Sequence, residues 1–516
     1  MTEPTPLASE RLGPLADAVA AEVEKLIGAN AVARIWSGDH TLWQPDPTEV
    51  SDRLGWLRVG PEVAAAAPTL DAFVADVAAD GFTHALVMGM GGSSLFPEVV
   101  TRTFPKRDNH PELRVLDTTD PAAIGRIEHE CPLDTTLFVA SSKSGGTVET
   151  RSHLEYFWAK VGRPEQFTVI TDPGSDLQRL AEERDYRKVW ENRPDIGGRY
   201  SALSYFGMVP AALAGAGYME MLDAADRQSN QLEPGVDPRA NPGLRLGAIL
   251  GAAVKAGRDK VTLVIDAEVE TFGLWLEQLL AESTGKHGTG VVPIAGERLG
   301  PPEVYGDDRL FVAIGEHHGL DVLAERGHPV VSLPYDGVSS IGAQVLLWEF
   351  ATAVCGAVLE INAFDQPNVA EAKEATNHVL QDGLPDVQPE PLAGLLDQVK
   401  AGDYVSIQAY LDPDDGVVDA IEDARTAIRD RLAVATTFGL GPRFLHSTGQ
   451  LHKGGPPTGV FVQVLGADTT DLDIPGRDYS FSTLKQAQAA GDLLTLRKHG
   501  LRAARIALED LLTQTR

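Results

Sequence analysis

His84-Ala-Leu-Val-Met-Gly-Met-Gly-Gly-Ser-Ser94 and Thr136-Leu-Phe-Val-Ala-Ser-Ser-Lys-Ser-Gly-Gly-Thr147 follow one plan. In each, an apolar run of strand length ends in glycines and hydroxyls and then enters a helical stretch. Leu113-Arg-Val-Leu-Asp117 and Phe167-Thr-Val-Ile-Thr171 keep the same rhythm. Short apolar runs alternating with amphipathic segments predict a parallel sheet joined by helical crossovers. After a Pro/Asn/Gly-bearing break at 233–243 the pattern starts again, with Lys260-Val-Thr-Leu-Val-Ile265, Gly290-Val-Val-Pro-Ile294, Arg309-Leu-Phe-Val-Ala-Ile314 and Pro329-Val-Val-Ser-Leu333. The expected fold class is α/β, with two doubly wound parallel-sheet domains.

Around these two units the texture changes. Residues 8–30 are Ala-rich with apolar residues at helical spacing, and 44–53 read as a polar connector, so 1–60 are expected to be a helical lead-in. The first α/β domain is placed at 61–235 and the second at 236–400. Beyond 400 the sequence predicts a helix near 416–435, a Gly/His-rich loop at 439–459, a strand at Val460 to Leu465 and a closing helix near 483–514. The stretch 401–516 is therefore expected to wrap around the body.

A chain of 516 residues is long enough for about three packed units at roughly 150 residues each. Its 44 Lys+Arg against 74 Asp+Glu give a net charge of −30, which argues against nucleic acid or an anionic membrane as partner. Any site for an anion must then be built locally. Hydrophobic residues at 43% and charged residues at 23% exclude wholesale disorder. Two cysteines, Cys131 and Cys355, are too few for a disulfide framework or a cysteine-built zinc site, so a reducing compartment and no metal are expected. The first residues lack the basic and apolar regions of a secretory signal, and a cytoplasmic location is expected. No run of 18 apolar residues is visible; the stretches Tyr205 to Gly217 and Leu244 to Val254 read as buried helices.

Five segments can carry chemistry. Gly89-Met-Gly91-Gly92-Ser93 lets a backbone approach a phosphate or a sugar oxygen at a helix N-terminus, and read alone it also makes a plain strand-to-helix turn. Ser142-Lys143-Ser144-Gly-Gly-Thr147 brings hydroxyls and free N–H groups to the carboxyl end of a parallel strand, where a phosphate fits; the other reading is a Ser/Thr cap with a solvated lysine. Gly197-Gly198-Arg199 would hold a permanently charged guanidinium close to a ligand, or simply pair it with an acid. Glu282, near the end of a helix, is a candidate general base, although a lone Glu is more often a surface acid. Asn362-Ala-Phe-Asp-Gln366 leads into a helix carrying Lys373, seven residues after Gln366.

Taken together and in this order, the five segments resemble the phosphoglucose isomerase (glucose-6-phosphate isomerase) family, built from two sugar-isomerase (SIS) domains. The resemblance spans roughly residues 60–400, and the Phe438 to Gly455 stretch looks like the isomerase half of transaldolase/isomerase fusions. With no transaldolase portion ahead of it, a freestanding isomerase is expected. The resemblance places the phosphate cradle on Ser142, Lys143, Ser144 and Thr147, with Ser144 where many members carry Thr. It gives Gly92, Ser93 and Gly198 to the sugar-contacting turns, Arg199 to the enediol, Glu282 to the proton transfer between C2 and C1, Gln366 to substrate binding and Lys373 to ring opening.

One departure concerns ring opening. Members carry a His 22 residues before the Asn of the Asn-x-Phe-Asp-Gln motif, and here that position is Ser340. Either Lys373 acts with a water or a tail histidine, His446 or His452, takes over; the tail is the favoured reading, and His287 is a further candidate. The family implies a cofactor-free, reversible isomerisation of D-glucose 6-phosphate to D-fructose 6-phosphate through a cis-enediol, in a homodimer. An isomerase for another anionic sugar and a noncatalytic sugar-phosphate sensor are the alternatives.

Overall fold

A computed structural model describes residues 6–514. The lead-in is not wholly helical: it begins with a short strand, β1 (Ser9–Arg11), ahead of the helix Ala16–Gly28. The first sheet holds β2 (His84–Met88), β3 (Glu112–Leu116), β4 (Thr136–Ser141), β5 (Phe167–Thr171) and β6 (Lys188–Glu191), all parallel, in the order β3-β2-β4-β5-β6. Four of these lie where the apolar runs predict them; β6 is an addition at the sheet edge, only partly buried and correspondingly less apolar. The order reverses between β2 and β4, so the turns that follow these two strands open side by side at a switch point.

The second sheet contains β7 (Lys260–Ile265), β8 (Val292–Ile294), β9 (Arg309–Ile314) and β10 (Val330–Leu333), parallel to one another, with β1 closing one edge antiparallel to β10. One continuous apolar cluster runs from Leu7 to Phe364 and unites the lead-in with both sheets. At its centre the helices Pro242–Lys255 and Ile341–Leu359 cross closely, because Gly243, Gly247 and Gly251 recur every fourth residue on one face. A Cβ on Gly247 would come 2.5 Å from the Ala351 carbonyl oxygen, and one on Gly251 2.4 Å from Val358. The stretch Val338–Leu359, which the reading of the sequence did not single out, has the length and hydropathy of a membrane span. Within the fold 89% of its most apolar window is buried.

The C-terminal segment packs against the helices Phe272–Thr284 and Val369–Asp382 and builds a sheet of its own. β11 (Tyr404–Tyr410), β12 (Ala435–Leu440), β13 (Gly459–Leu465) and β14 (Arg502–Ile506) are parallel in the order β12-β11-β13-β14 over a separate apolar core. The expected closing helix is thus broken: it runs Phe481–Lys498, gives way to β14 and resumes at Leu508–Gln514. Gly500, at a φ of +74°, makes the turn between helix and strand.

This third unit is fastened to the first by buried charges. Lys485, on the Phe481–Lys498 helix, donates to Asp120 at 2.8 Å and is also paired with Asp468, and its side chain is fully buried. Arg443 forks onto Asp117 at 2.8 and 2.9 Å. Removing one member of a buried ionic group leaves the others desolvated without compensation. Lys485→Met is expected to cost about 3–5 kcal/mol, read as a shift of the urea unfolding midpoint; an unshifted midpoint would show that the seam does not hold the third unit in place.

Candidate functional site

The switch point of the first sheet supplies the first half of the site. In the 142–147 turn the Gly145 N–H donates to Ser142 Oγ at 3.1 Å and the Gly146 N–H to Ser144 Oγ at 3.3 Å, while Ser142 Oγ and Thr147 Oγ1 lie 3.1 Å apart. The turn thereby curls over the N-terminus of the helix Val148–Val161, whose free N–H groups favour an anion. Lys143 points elsewhere, its ammonium held by Asp172 and by the Pro194 carbonyl at 2.7 Å. It fixes the outside of the turn.

The glycine turn after β2 is the junction of the site. A Cβ on Gly92 would fall 1.9 Å from the Gly198 carbonyl oxygen, so only glycine permits the Arg199 turn to lie against it. A Cβ on Gly91, whose φ is +54°, would fall 2.6 Å from the His446 carbonyl oxygen and 2.8 Å from Gln278 Nε2. Gly92, Ser93, Gly198, Arg199, the Glu282 helix and the tail therefore meet at one point.

Arg199 carries the second half. Its side chain is 1% exposed, and its guanidinium donates to Ser283 Oγ at 2.7 Å, to Gln366 Oε1 at 2.7 Å and to the Ala363 and Asp365 carbonyls at 2.9 Å each. Glu282 Oε1 lies 3.5 Å from Arg199 Nη1, and Glu282 Oε2 accepts from Gln278 Nε2 at 3.0 Å. Gln278 and Glu282 share a face of the helix Phe272–Thr284 because they are four residues apart. The arrangement pairs a carboxylate able to take a proton with a cation able to hold the negative charge that results.

Three further side chains set this geometry, and the sequence reading did not single them out. Lys286, fully buried, donates to the Asn362 carbonyl at 2.7 Å and to the Asp365 carbonyl and carboxylate at 2.6 Å each. Burial, with the Arg199 guanidinium nearby, pulls its ammonium down to about 8. Gln450 from the tail joins Asn368 to the Gly285 carbonyl, 2.9 Å from each. Glu149, in the first turn after the hydroxyl cluster, accepts from Gln488 Nε2 at 2.6 Å and stands 2.9 Å from His446 Nε2. Burial pushes the Glu149 carboxyl up, but His446 outweighs it and holds the group at about 2. An ionised carboxylate only accepts, so Nε2 of His446 carries the proton in this contact. Spacing from Glu282 was the available signal for Lys286, as for Gln278, and nearness to Thr147 the signal for Glu149; nothing local marks Gln450.

The two tail histidines part company. His446 is 17% exposed and its carbonyl accepts at 2.9 Å from the Gln278 amide that also serves Glu282. His452 is instead buried between the Phe444 and Phe461 rings, with Nδ1 3.1 Å from Gln408 Nε2. Burial, with Lys453 beside it, drives its imidazole well below the ordinary range and keeps it neutral. Its place facing β11 corrects the expectation of a catalytic His452. Lys373 is exposed on the helix Val369–Asp382 and makes no hydrogen bond or ion pair among the described residues. Ser340 closes a turn, donating to the Gly337 carbonyl at 2.7 Å, and His287 is exposed.

Comparison with known proteins matches residues 73–296 to the phosphoglucose isomerase family. The glucose-6-phosphate isomerase of Acaryochloris marina is 29% identical over 411 residues, 67% of this chain and 77% of that protein. That of a Nostoc species is 27% identical over 440 residues, 74% of this chain and 81% of its own. Among solved structures, a hypothetical protein of Thermus thermophilus superposes with a TM-score of 0.60 at 23% identity, over 72% of this chain and 100% of that one. A glucose-6-phosphate isomerase of Chlamydia trachomatis does so with a TM-score of 0.54 at 21% identity, over 68% and 78%. These two share the fold. Over residues 73–296, and along the curated proteins it aligns with, the chain is similar to the phosphoglucose isomerase family.

Proposed function

We propose that this chain interconverts D-glucose 6-phosphate and D-fructose 6-phosphate. The observation that carries the reading is the Glu282 carboxylate 3.5 Å from the buried Arg199 guanidinium, on a helix whose Gln278 lies against Gly91 in the turn after β2. The substrate phosphate sits in the 142–147 turn, on hydroxyls and helix N–H groups, and its binding energy holds the reacting carbons against Gly92 and Ser93. Glu282 removes the C2 proton, the enediol oxygen shares Arg199 with Gln366, and the same carboxyl returns the proton to C1. Both transfers use one group because the carbons are adjacent.

Ring opening falls to His446. Glu149 fixes the ring through Nε2, which leaves Nδ1 to exchange a proton with the sugar, and Gln278 ties the His446 backbone to Glu282. Lys373, exposed on the helix that follows Gln366, is the auxiliary group. The reading includes a cytoplasmic location, supported by two free and buried thiols, and a homodimer, for which sedimentation velocity should give twice the monomer mass of 55.2 kDa; a single 55 kDa species would remove the dimer.

Glu282→Gln is expected to bind fructose 6-phosphate but lose at least about 100-fold in turnover, with no solvent deuterium entering C1 or C2. Exchange at the normal rate would take Glu282 out of the mechanism. His446→Ala should slow conversion of cyclic sugar far more than proton exchange on open-chain sugar, and equal losses would reject its role. Lys286 uses three N–H donors on three acceptors, and a neutral amine has only two. As pH rises through about 8 the ammonium is lost, so KM should rise on the alkaline side as the Gln366 loop loosens. Lys286→Met should show that raised KM at all pH values; an unchanged alkaline limb in the variant would assign the limb to another group.

A further inference from the structure

A cavity of about 1180 Å³ lies between the edge of the first sheet, the helix Phe272–Thr284 and the C-terminal sheet. Arg199, Glu282, Gln366 and the 142–147 turn are all absent from its lining, so it is distinct from the isomerase site.

Its floor is polar where a sheet face would ordinarily be apolar. β11 and β12 pair Ser406 with Thr437 and Gln408 with Gly439, and the period of two puts these residues on the cavity face while Val405 and Ile407 enter the core behind. Gln408 is fully buried and Thr437 is 7% exposed, yet among the described residues the Gln408 side-chain carbonyl and the Thr437 hydroxyl have no partner. Thr103 Oγ1 and Arg114 Nε, in the same lining, are likewise unpartnered. Buried polar atoms are bonded in the great majority of cases, so four around one cavity mark a surface shaped for hydrogen bonds to a molecule outside the chain. From the facing wall comes the Glu277 carboxyl, nine-tenths buried. Burial, partly opposed by Arg425, pushes it up to about 8, so at neutral pH it is a carboxylic acid that both donates and accepts.

The cations of the lining are already committed. Arg425 donates to the Thr436 and Ala295 carbonyls and to Glu422, Arg443 is forked onto Asp117, and Arg126 is paired with Asp412. Arg102 pairs with Glu98, Lys106 and Arg114 share Glu112, and although Arg114 Nε is without a partner among the described residues, the charge of each cation in the lining is already met by an acid. What is available is a set of neutral donors and acceptors beside the Phe438 and Phe444 rings, a combination that suits hydroxyls carried on a hydrocarbon frame.

We propose that this cavity binds an uncharged polyhydroxyl molecule of sugar size through Ser406, Gln408, Thr437 and Glu277. The wall nearest the isomerase site is the segment 443–448: Phe444 and Ser447 line the cavity, while His446 between them turns to Glu149 and Gln278. Occupancy on one side therefore bears on the ring-opening group on the other. The coupling step rests on the isomerase reading; the binding step does not.

Titration calorimetry of the full chain with D-mannitol and D-glucose tests the binding. A Kd of about 1 mM or tighter is expected, unchanged by Glu282→Gln or by saturating inorganic phosphate, and weakened about tenfold in Thr437→Val and in Ser406→Ala. Thermal unfolding checks that these variants fold, and Glu277→Gln, which keeps the side-chain shape, gives the same readout if either does not. Absence of polyol binding, displacement by phosphate, tighter binding of putrescine, or binding indifferent to the floor substitutions would each overturn the site. In isomerase assays mannitol should change kcat in the intact protein and not in Thr437→Val; a constant kcat with intact binding would overturn the coupling. Should the chain lack isomerase activity, the calorimetric result still decides the site.

Discussion

The buried guanidinium of Arg199 is the constraint on which the rest of the molecule depends. It leaves the first sheet's side of the molecule and spends its donors on Ser283 and on the 363–366 segment, which belong to the second. A charge this deeply buried is tolerated only when every donor finds an acceptor. That requirement fixes the distance between the two units, and with it the separation of Glu282 from the turns after β2 and β4. Gly92 is part of the same constraint, since any side chain there would push the Arg199 turn away.

Lys286 repeats the device one turn further on. It shares the Asp365 carbonyl with Arg199, so two cations hold one loop from two directions. The loop's position is thereby set by electrostatics in a dry environment, where hydrogen bonds are stronger and less forgiving of error. The third unit is joined to the body in the same manner. Lys485 with Asp120, Arg443 with Asp117 and Gln488 with Glu149 form a polar seam, and such groups specify a single docking arrangement where an apolar contact would permit several. His446 owes its place beside Gly91 to that seam.

Much of the fold was legible because parallel strands buried on both faces read as apolar runs bounded by punctuation. Phe167–Thr171 and Arg309–Ile314 were anticipated residue for residue. β11 was legible in principle, since Tyr404-Val-Ser-Ile-Gln-Ala-Tyr410 alternates, but its polar members face a cavity and dilute the apolar signal. β14 was hidden inside a helical pattern that carries two glycines, of which Gly491 stays within the helix and only Gly500, at positive φ, ends it. β1 is three residues long, too short to carry a period, and exists because β10 offers it an edge.

In the site, local chemistry marked the residues whose role is intrinsic to a turn or a helix end: the hydroxyls of 142–147, the glycines at 91 and 92, Arg199 and Glu282. Each of these read alone also had a plain structural explanation, and only their order along the chain singled them out together. Which histidine of the tail would face the site had no such mark. His446 and His452 are six residues apart in similar surroundings of sequence, and only the packing of the turn Arg443–His446 and the helix Gly449–Gly454 onto Glu149, Gln278 and Gln408 turned one toward Glu149 and sealed the other among Phe444 and Phe461. Sequence alone determined the turns that can hold an anion; tertiary structure decided what stands opposite them, because contacts between residues hundreds of positions apart are set by packing and charge satisfaction and leave no period in the chain.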